Sequence, residues 1–131
     1  MLLFDTGHFP DFPQVHVQTK VPIMLFQISV RLLQAQTCEG SWGSCEETAY
    51  ALLALTKLMS LPFISIMHNT IQEALNLGRT LLSDNISDTL DTVDQVCLWI
   101  EKVSYRIPHV SYSYVLAALH ATQVPIAKLD Q

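Results

Sequence analysis

The sequence is short of charge, and the charge it carries is spread out. Only 15% of its 131 residues are charged and half are hydrophobic, whereas average chains are about 25% charged. The net charge is −5, and the seven Lys and Arg form no cluster, which excludes the basic patch of a nucleic-acid-binding protein. Such a chain is either unusually well buried or part of a larger structure that covers its flanks, and we favour the second interpretation.

Long hydrophobic runs are missing too. None approaches the roughly 20 residues that a membrane-spanning helix needs, so no span is expected. The longest candidates are interrupted by Lys20, Arg31, Lys57 and His68. The apolar start MLLF is followed at once by an acid and has no basic segment before it, unlike a signal peptide. We therefore expect a cytoplasmic protein.

Motifs for metal binding and nucleophilic catalysis are absent. The three cysteines are an odd number and lack the spacing of a zinc site, so ordinary reduced thiols are expected. The five histidines form neither HExxH nor a Ser-His-Asp arrangement. The residues by themselves assign no catalytic group and no metal ligand.

Hydrophobic periodicity predicts about five helices. Their expected ranges are 22–36, 45–59, 63–82, 91–105 and 109–121, between an irregular lead-in over 1–21 and a polar tail over 122–131. No strand is expected. Several of the helices are apolar on two sides, and such helices bury both sides against neighbours. Short loops between them favour an αα-array. We therefore predict an all-α fold in the form of a partial (α/α) barrel.

Local signals predict where several helices begin and end. Pro22 can open the first helix, because its missing N–H costs nothing in the first turn. Ser44 and Glu47 have the spacing of a capping box for the second. Pro62 and Pro108 are expected to end the second and fourth helices. In the third helix four residues are predicted to point inward: Ile66, Ile71, Leu75 and Leu82.

The loop QTCEGSWGS, residues 36–44, places a tryptophan between two glycines. We interpret Gln36, Gly40 and Trp42 as a structural clamp. The glutamine amide would pair with backbone groups that a helix end leaves open, and the tryptophan ring would pack over it. Gly40 and Gly43 would permit positive φ in the tight turn.

This loop also carries a family resemblance. Gln36-x-x-x-Gly40-x-Trp42, with Leu32 four residues before the glutamine, resembles the QW repeat of the terpenoid cyclases, although Arg31 stands where the repeat has an aromatic residue. Residues 99–121 resemble the closing segment of the class II domain of diterpene cyclases of the copalyl diphosphate synthase type. Residues 14–27 and 55–63 look most like the fungal members, including bifunctional copalyl diphosphate and kaurene synthases.

The resemblance implies a fold and a chemistry. The fold is the (α/α) barrel, and the chemistry is cyclisation of geranylgeranyl diphosphate, begun by an aspartic acid of an Asp-x-Asp-Asp motif that protonates the terminal alkene. That motif is missing here, and so is the class I Asp-Asp-x-x-Asp. The two most similar segments, Asp84 to Asp88 and Asp91 to Asp94, lack the adjacent acids. They fit helix caps or a polar loop. Mg²⁺ is implied for the full-length family, and none is expected on this chain.

Five residues are candidates for binding substrate if the resemblance holds: Glu47, Tyr50, Trp99, Tyr105 and Tyr114. Aromatic faces stabilise passing cations. Each candidate also has an ordinary interpretation, helix capping for Glu47 and core packing for the aromatic residues. Lys102 and Arg106 could approach a diphosphate, or could form a solvated surface pair.

Two hypotheses about function follow. The first is a fragment from the late part of a class II diterpene cyclase domain, inactive alone, whose partners are geranylgeranyl diphosphate and the remainder of the barrel. The second is a non-catalytic αα-helical interaction domain derived from the same barrel, with a partner docked on exposed apolar faces.

Overall fold

The computed structural model describes residues 16–86, 98–100, 103–105 and 108–121. A π-helical turn, His16–Lys20, leads into α1, Val21–Ala35. The second helix, α2, is Cys45–Leu58. A 3₁₀ segment, Pro62–Met67, continues into α3, His68–Asp84, and the last helix, α4, is Pro108–His120. The all-α class predicted from the sequence is confirmed.

A short β-hairpin replaces part of the fourth predicted helix. Strands β1, Leu98–Ile100, and β2, Val103–Tyr105, pair antiparallel with Trp99 opposite Ser104. The helix predicted over 91–105 is therefore wrong over 98–100 and 103–105, and so is the expectation of no strand. The segment is rich in β-branched and aromatic residues, which favour strands. The helix was predicted only from apolar residues spaced at i, i+3 and i+4, and that spacing does not take account of strand preference. Residues 91–97 of that prediction lie outside the described residues.

The core forms where α2, α3 and α4 meet. The first predicted helix is shifted by one residue and the second is one residue shorter than expected, while α2 keeps its predicted start at Cys45. Six of the largest fully buried side chains are Leu52, Leu55, Ile71, Leu75, Leu82 and Val115. Because α2 buries residues on both of its apolar sides, it is the central helix of the described part.

One predicted inward residue points outward. Ile66 is 84% exposed, whereas Ile64 is fully buried. The chain from Pro62 to Met67 is a 3₁₀ helix, which has about three residues per turn instead of 3.6. Ile64 lies seven residues before the buried Ile71, about two α-helical turns, whereas Ile66 lies five residues before it and falls on another side of the chain. The inward positions predicted for Ile71, Leu75 and Leu82 are confirmed.

Helices α2 and α4 run in the same direction. Near their starts, Glu46 accepts a hydrogen bond from Ser111, and one turn further on Tyr50 packs on Tyr114. Near their ends, Arg79 of α3 donates both to Thr56 of α2 and to the carbonyl of Ala118 in α4. Two parallel helices consequently present their first turns on the same side of the molecule.

Helix α1 buries only one of its apolar faces. Leu25, Leu32 and Leu33 pack against the core, and Ser29 is buried with its hydroxyl donating to the Leu25 carbonyl. The opposite face leaves four large apolar side chains exposed: Ile23, Met24, Phe26 and Ile28. We call these four residues the outer face of α1.

The outer face of α1 predicts how the isolated chain behaves. We expect the purified 131-residue chain to self-associate and to bind a hydrophobic fluorescent dye, because exposed apolar patches promote association. Replacing Met24 and Ile28 with Gln should lower dye fluorescence severalfold without unfolding the chain, whereas Gln27→Glu on the same helix should not. A monodisperse monomer that melts cooperatively and ignores the dye would contradict this expectation.

No single helix among the described residues is both long and apolar enough to cross a membrane. The stretches Cys45–Leu58 and Pro62–Asp84, bent by 118° relative to one another, meet that length and composition only when taken together.

Candidate functional site

Two of the predicted substrate-binding residues lie together between α2 and α4. The rings of Tyr50 and Tyr114 have their centroids 4.6 Å apart at an interplanar angle of 65°, an edge-to-face arrangement. Such aromatic pairs are worth about 0.5–1.5 kcal/mol beyond the area they bury. Tyr50 is half-buried and Tyr114 is exposed, so the pair has one side in the packed interface and one side open.

A buried carboxylate holds this pair, and the sequence did not single it out. Glu46 is 9% exposed. Its Oε1 accepts a 2.7 Å hydrogen bond from the Tyr50 hydroxyl, and its Oε2 accepts one of 2.7 Å from the Ser111 hydroxyl. Tyr50 lies four residues after Glu46, on the same helix face. Ser111 lies 65 residues away in sequence, and only the packing of α4 on α2 brings it there.

The position of Glu46 near the start of α2 suits a negative charge. The first turn of a helix carries the positive end of the helix dipole, and both Glu46 and Glu47 lie in that turn. The two glutamates have separate roles. We name Glu46, Tyr50, Ser111 and Tyr114 the acid–tyrosine cluster.

Glu47 caps the helix instead. Its Oε2 accepts a 2.7 Å hydrogen bond from the Ser44 backbone N–H, and the Ser44 hydroxyl accepts from the Glu47 N–H at 3.2 Å. This is the capping box that the sequence predicted. Glu47 is exposed, and its contacts place it at the helix end, whereas Glu46 contacts the tyrosines.

The hydroxyl of Tyr50 stays protonated. Burial raises its pKa first, and the hydrogen bond to the Glu46 carboxylate and that group's negative charge raise it further, with a smaller effect from Tyr114. A phenol whose pKa lies above its ordinary value of about 10 keeps its proton at neutral pH. Tyr50 is therefore a hydrogen-bond donor to Glu46 rather than a proton acceptor.

The other two aromatic candidates lie on the hairpin. Trp99 is in β1, and Tyr105 is in β2 opposite Leu98. The structure describes only the backbone of these residues, so the prediction that they bind substrate stays a prediction. Lys102 and Arg106 lie outside the described residues.

The loop before α2 ties three helices together. The Gln36 amide donates to the carbonyl of Ala74 in α3 at 2.9 Å and to that of Gly40 at 3.2 Å. The Trp42 indole N–H donates to the carbonyl of Leu32 in α1 at 2.7 Å, while the Trp42 backbone N–H donates to the Thr48 hydroxyl of α2. The Leu32 carbonyl, in the last turn of α1, is thus paired by a side chain.

Sequence reasoning missed two residues of the framework. Gly78 of α3 lets the chain approach closely, because a Cβ there would lie 2.8 Å from Leu52 Cδ2 and 3.1 Å from Trp42 Cζ3. Arg79 donates to the carbonyl of Ala121 at 2.8 Å, just beyond α4, where a cation suits the negative end of the helix dipole. A lone glycine in a helical pattern was the available signal for Gly78.

The described residues do not fit a magnesium site. In this part of the chain no group of three or more His, Cys, Asp or Glu is placed to hold a metal ion, although Mg²⁺ requires several oxygen ligands in an octahedral arrangement.

Comparison with known proteins identifies relatives of this chain. It is 40% identical over 119 residues, 89% of its length, to pimaradiene synthase pbcA of Emericella nidulans. It is 39% identical over 101 residues, 73% of its length, to a copalyl diphosphate synthase of Talaromyces verruculosus. It is 28% identical over 130 residues, 97% of its length, to an ent-kaur-16-ene synthase of Fusarium fujikuroi.

The chain is homologous to part of the fungal diterpene cyclases. The predicted resemblance to the fungal diterpene cyclases is thereby confirmed. The chain spans 12%, 10% and 13% of the lengths of these three cyclases. No protein-family model matches it, and no solved structure matches it significantly. Homology to the diterpene cyclases implies an α-helical toroid. In the described structure α2 and α4 pack against each other.

Proposed function

We propose that this chain forms the late part of a class II diterpene cyclase domain and contributes an aromatic wall to the cavity that holds geranylgeranyl diphosphate. Similarity to a copalyl diphosphate synthase over 101 residues supports this proposal. In our assignment residues 22–121 belong to the barrel, residues 1–21 are a lead-in, and residues 122–131 are a tail.

The proposed role of the wall is to stabilise positive charge. A protonated prenyl chain passes through carbocations, and an aromatic face within about 6 Å attracts a cation through the ring quadrupole. The edge-to-face pair of Tyr50 and Tyr114 places two rings about halfway along the parallel helices α2 and α4. Since Tyr50 keeps its proton, it offers a ring face and not a base.

The proposed function assigns the first proton to another part of the protein. An aspartic acid can protonate an alkene only where its surroundings hold it protonated, and the motif for such an acid is not in this sequence. We propose that the chain alone is inactive. We also propose that Gln36, Gly40 and Trp42 act as a clamp, whose hydrogen bonds to α1 and α3 hold the wall in place.

A segment exchange tests this proposal. The matched region of the Talaromyces verruculosus copalyl diphosphate synthase would be replaced by the corresponding residues of this chain, and geranylgeranyl diphosphate would be supplied. We expect the chimera to release copalyl diphosphate at a rate within about tenfold of the parent, a transition-state cost near 1.4 kcal/mol. The isolated chain, assayed in parallel, should release none.

Two outcomes would overturn the assignment. A folded chimera without product would show that the segment does not serve as this part of the barrel. Turnover by the isolated chain would show that the missing acid motif is not required. In the chimera, Tyr50→Ala should reduce product formation more than Tyr50→Phe, because only alanine removes the ring.

The alternative function is a non-catalytic interaction domain built from the same helices. The outer face of α1, with Met24 58% exposed, is the observation that favours it. In that case the chimera should fold but lack activity, and Met24→Gln should weaken partner binding rather than catalysis.

A further inference from the structure

The acid–tyrosine cluster contains a charge that packing alone does not require. Glu46 is nearly buried, and burying a carboxylate carries a desolvation cost unless its hydrogen bonds compensate. The amide of a glutamine has only one oxygen, so in this geometry its NH₂ end would have to donate to one of the two hydroxyls. A carboxylate accepts from both hydroxyls and also brings a negative charge beside the tyrosine ring.

We propose that Glu46 is a positioning residue of the aromatic wall: it fixes the Tyr50 ring against Tyr114 and, through its charge, strengthens the attraction of that ring for a carbocation. This inference rests on the proposed function and deepens it, because it names the group that tunes the wall. The class of ligand is a hydrophobic cation, such as a protonated prenyl chain passing through tertiary carbocations.

The geometry supplies the positioning. The Tyr50 hydroxyl is tied to Oε1 and the Ser111 hydroxyl to Oε2, each at 2.7 Å. Because both of its oxygens accept hydrogen bonds, the Glu46 carboxylate is held in one orientation. The hydroxyl end of the Tyr50 side chain is therefore held in place by Glu46. Tyr114 then meets the ring at 65° with the centroids 4.6 Å apart.

The electrostatics supply the strengthening. Hydrogen bonds to an ionised acceptor are stronger than neutral ones, and a phenol that donates to a carboxylate shifts electron density toward its oxygen and into the ring. The negative face of the ring attracts cations, so added density strengthens this attraction. Burial and the carboxylate keep the pKa of Tyr50 above its usual value, so the ring remains a neutral phenol.

Glu46→Gln removes the charge and keeps one acceptor oxygen, while Ser111→Ala removes one hydrogen bond and keeps the charge. The first measurement uses the 131-residue chain itself. Tyrosine labelled with ¹³C at Cζ reports electron density at the phenol oxygen, and Tyr50→Phe assigns the Tyr50 resonance. At neutral pH we expect Glu46→Gln to shift the Tyr50 resonance toward those of the exposed tyrosines. Ser111→Ala should produce a smaller shift, and Glu73→Gln, which removes one exposed charge from α3, should produce none.

The second measurement follows ligand binding through the same resonance. The chain would be titrated with a C20 prenyl tertiary amine, protonated at neutral pH, and with its uncharged carbon counterpart. We expect the wild-type chain to bind the ammonium compound more tightly. Glu46→Gln should reduce that preference about threefold to tenfold, as a partial loss of a cation–π interaction would, with the uncharged compound unaffected.

Three results would overturn the inference. The first is an unchanged Tyr50 resonance in Glu46→Gln, and the second is a wild-type chain that shows no preference for the charged compound. The third is an equal loss of both ligands, which indicates packing alone. The segment exchange tests the proposed function separately, through product formation by the chimera. An inactive chimera can therefore be distinguished from a Glu46 side chain that has no effect on the Tyr50 ring.

Discussion

Replacing Gly40 with alanine should destabilise the chain by about 3 kcal/mol or more, combining the strain of a left-handed backbone with an overpacked contact. Gly40 has φ of +97°, and a Cβ there would lie 2.8 Å from both the carbonyl carbon and the carbonyl oxygen of Leu77. These are backbone atoms of α3, which cannot move aside without moving the helix. Urea unfolding followed by circular dichroism measures the change.

Gly43→Ala is the matched control for this prediction. Gly43 also has positive φ, +118°, but a Cβ there would meet the carboxylate end of Glu47, a flexible and exposed side chain. Its substitution should cost only about 1–2 kcal/mol, the strain of the backbone with some loss of capping. If Gly40→Ala proved no more harmful than Gly43→Ala, the close approach of the loop to α3 would be wrong.

Removing the indole of Trp42 should have an effect of similar size. Trp42→Ala should lower the free energy of unfolding by about 3–5 kcal/mol, as large aromatic deletions do. The ring packs against the core and lies near Gly78, and its N–H is the partner of the Leu32 carbonyl. Without the indole, α1 loses both a packing contact and a hydrogen bond to the rest of the described structure.

Trp42→Phe separates the two contributions. It keeps a six-membered aromatic ring and removes the pyrrole part of the indole with its donor, so we expect a cost of about 1–3 kcal/mol, chiefly from the unpaired carbonyl. Ile66→Ala is the control for deleting a large apolar side chain, since Ile66 is 84% exposed and should be nearly neutral. Equal stability of Trp42→Ala and the wild-type chain would refute a stabilising role for the ring.

Prediction from the sequence worked best where the structure is local. The capping box of Ser44 and Glu47 depends on residues three apart, and its predicted geometry is present. The helix that follows begins at the predicted Cys45. Prediction failed where two local patterns compete, as at Leu98–Ile100, where a helical spacing and a strand-favouring composition coincide and the chain forms a hairpin.

The candidate site was only half predictable for the same reason. Tyr50 and Tyr114 could be chosen by residue type, but their pairing depends on α4 lying parallel to α2. Glu46 and Glu47 are adjacent in sequence, and nothing in that order tells which one caps the helix and which one holds a tyrosine. Contacts with Ser44 on one side and with Ser111 on the other decide it.

The sequence by itself therefore determined the helical class, the capped start of α2 and the relationship to the diterpene cyclases. Each of these depends on the spacing of residues that lie close together in the sequence. Only the tertiary structure decided that Glu46 is buried with Tyr50 and Ser111 as its hydrogen-bond donors and that Gly78 leaves room for the Trp42 ring. The physical reason is that burial and close approach are set by which helices meet and in which direction. Residues as far apart as Glu46 and Ser111 become partners only through that packing.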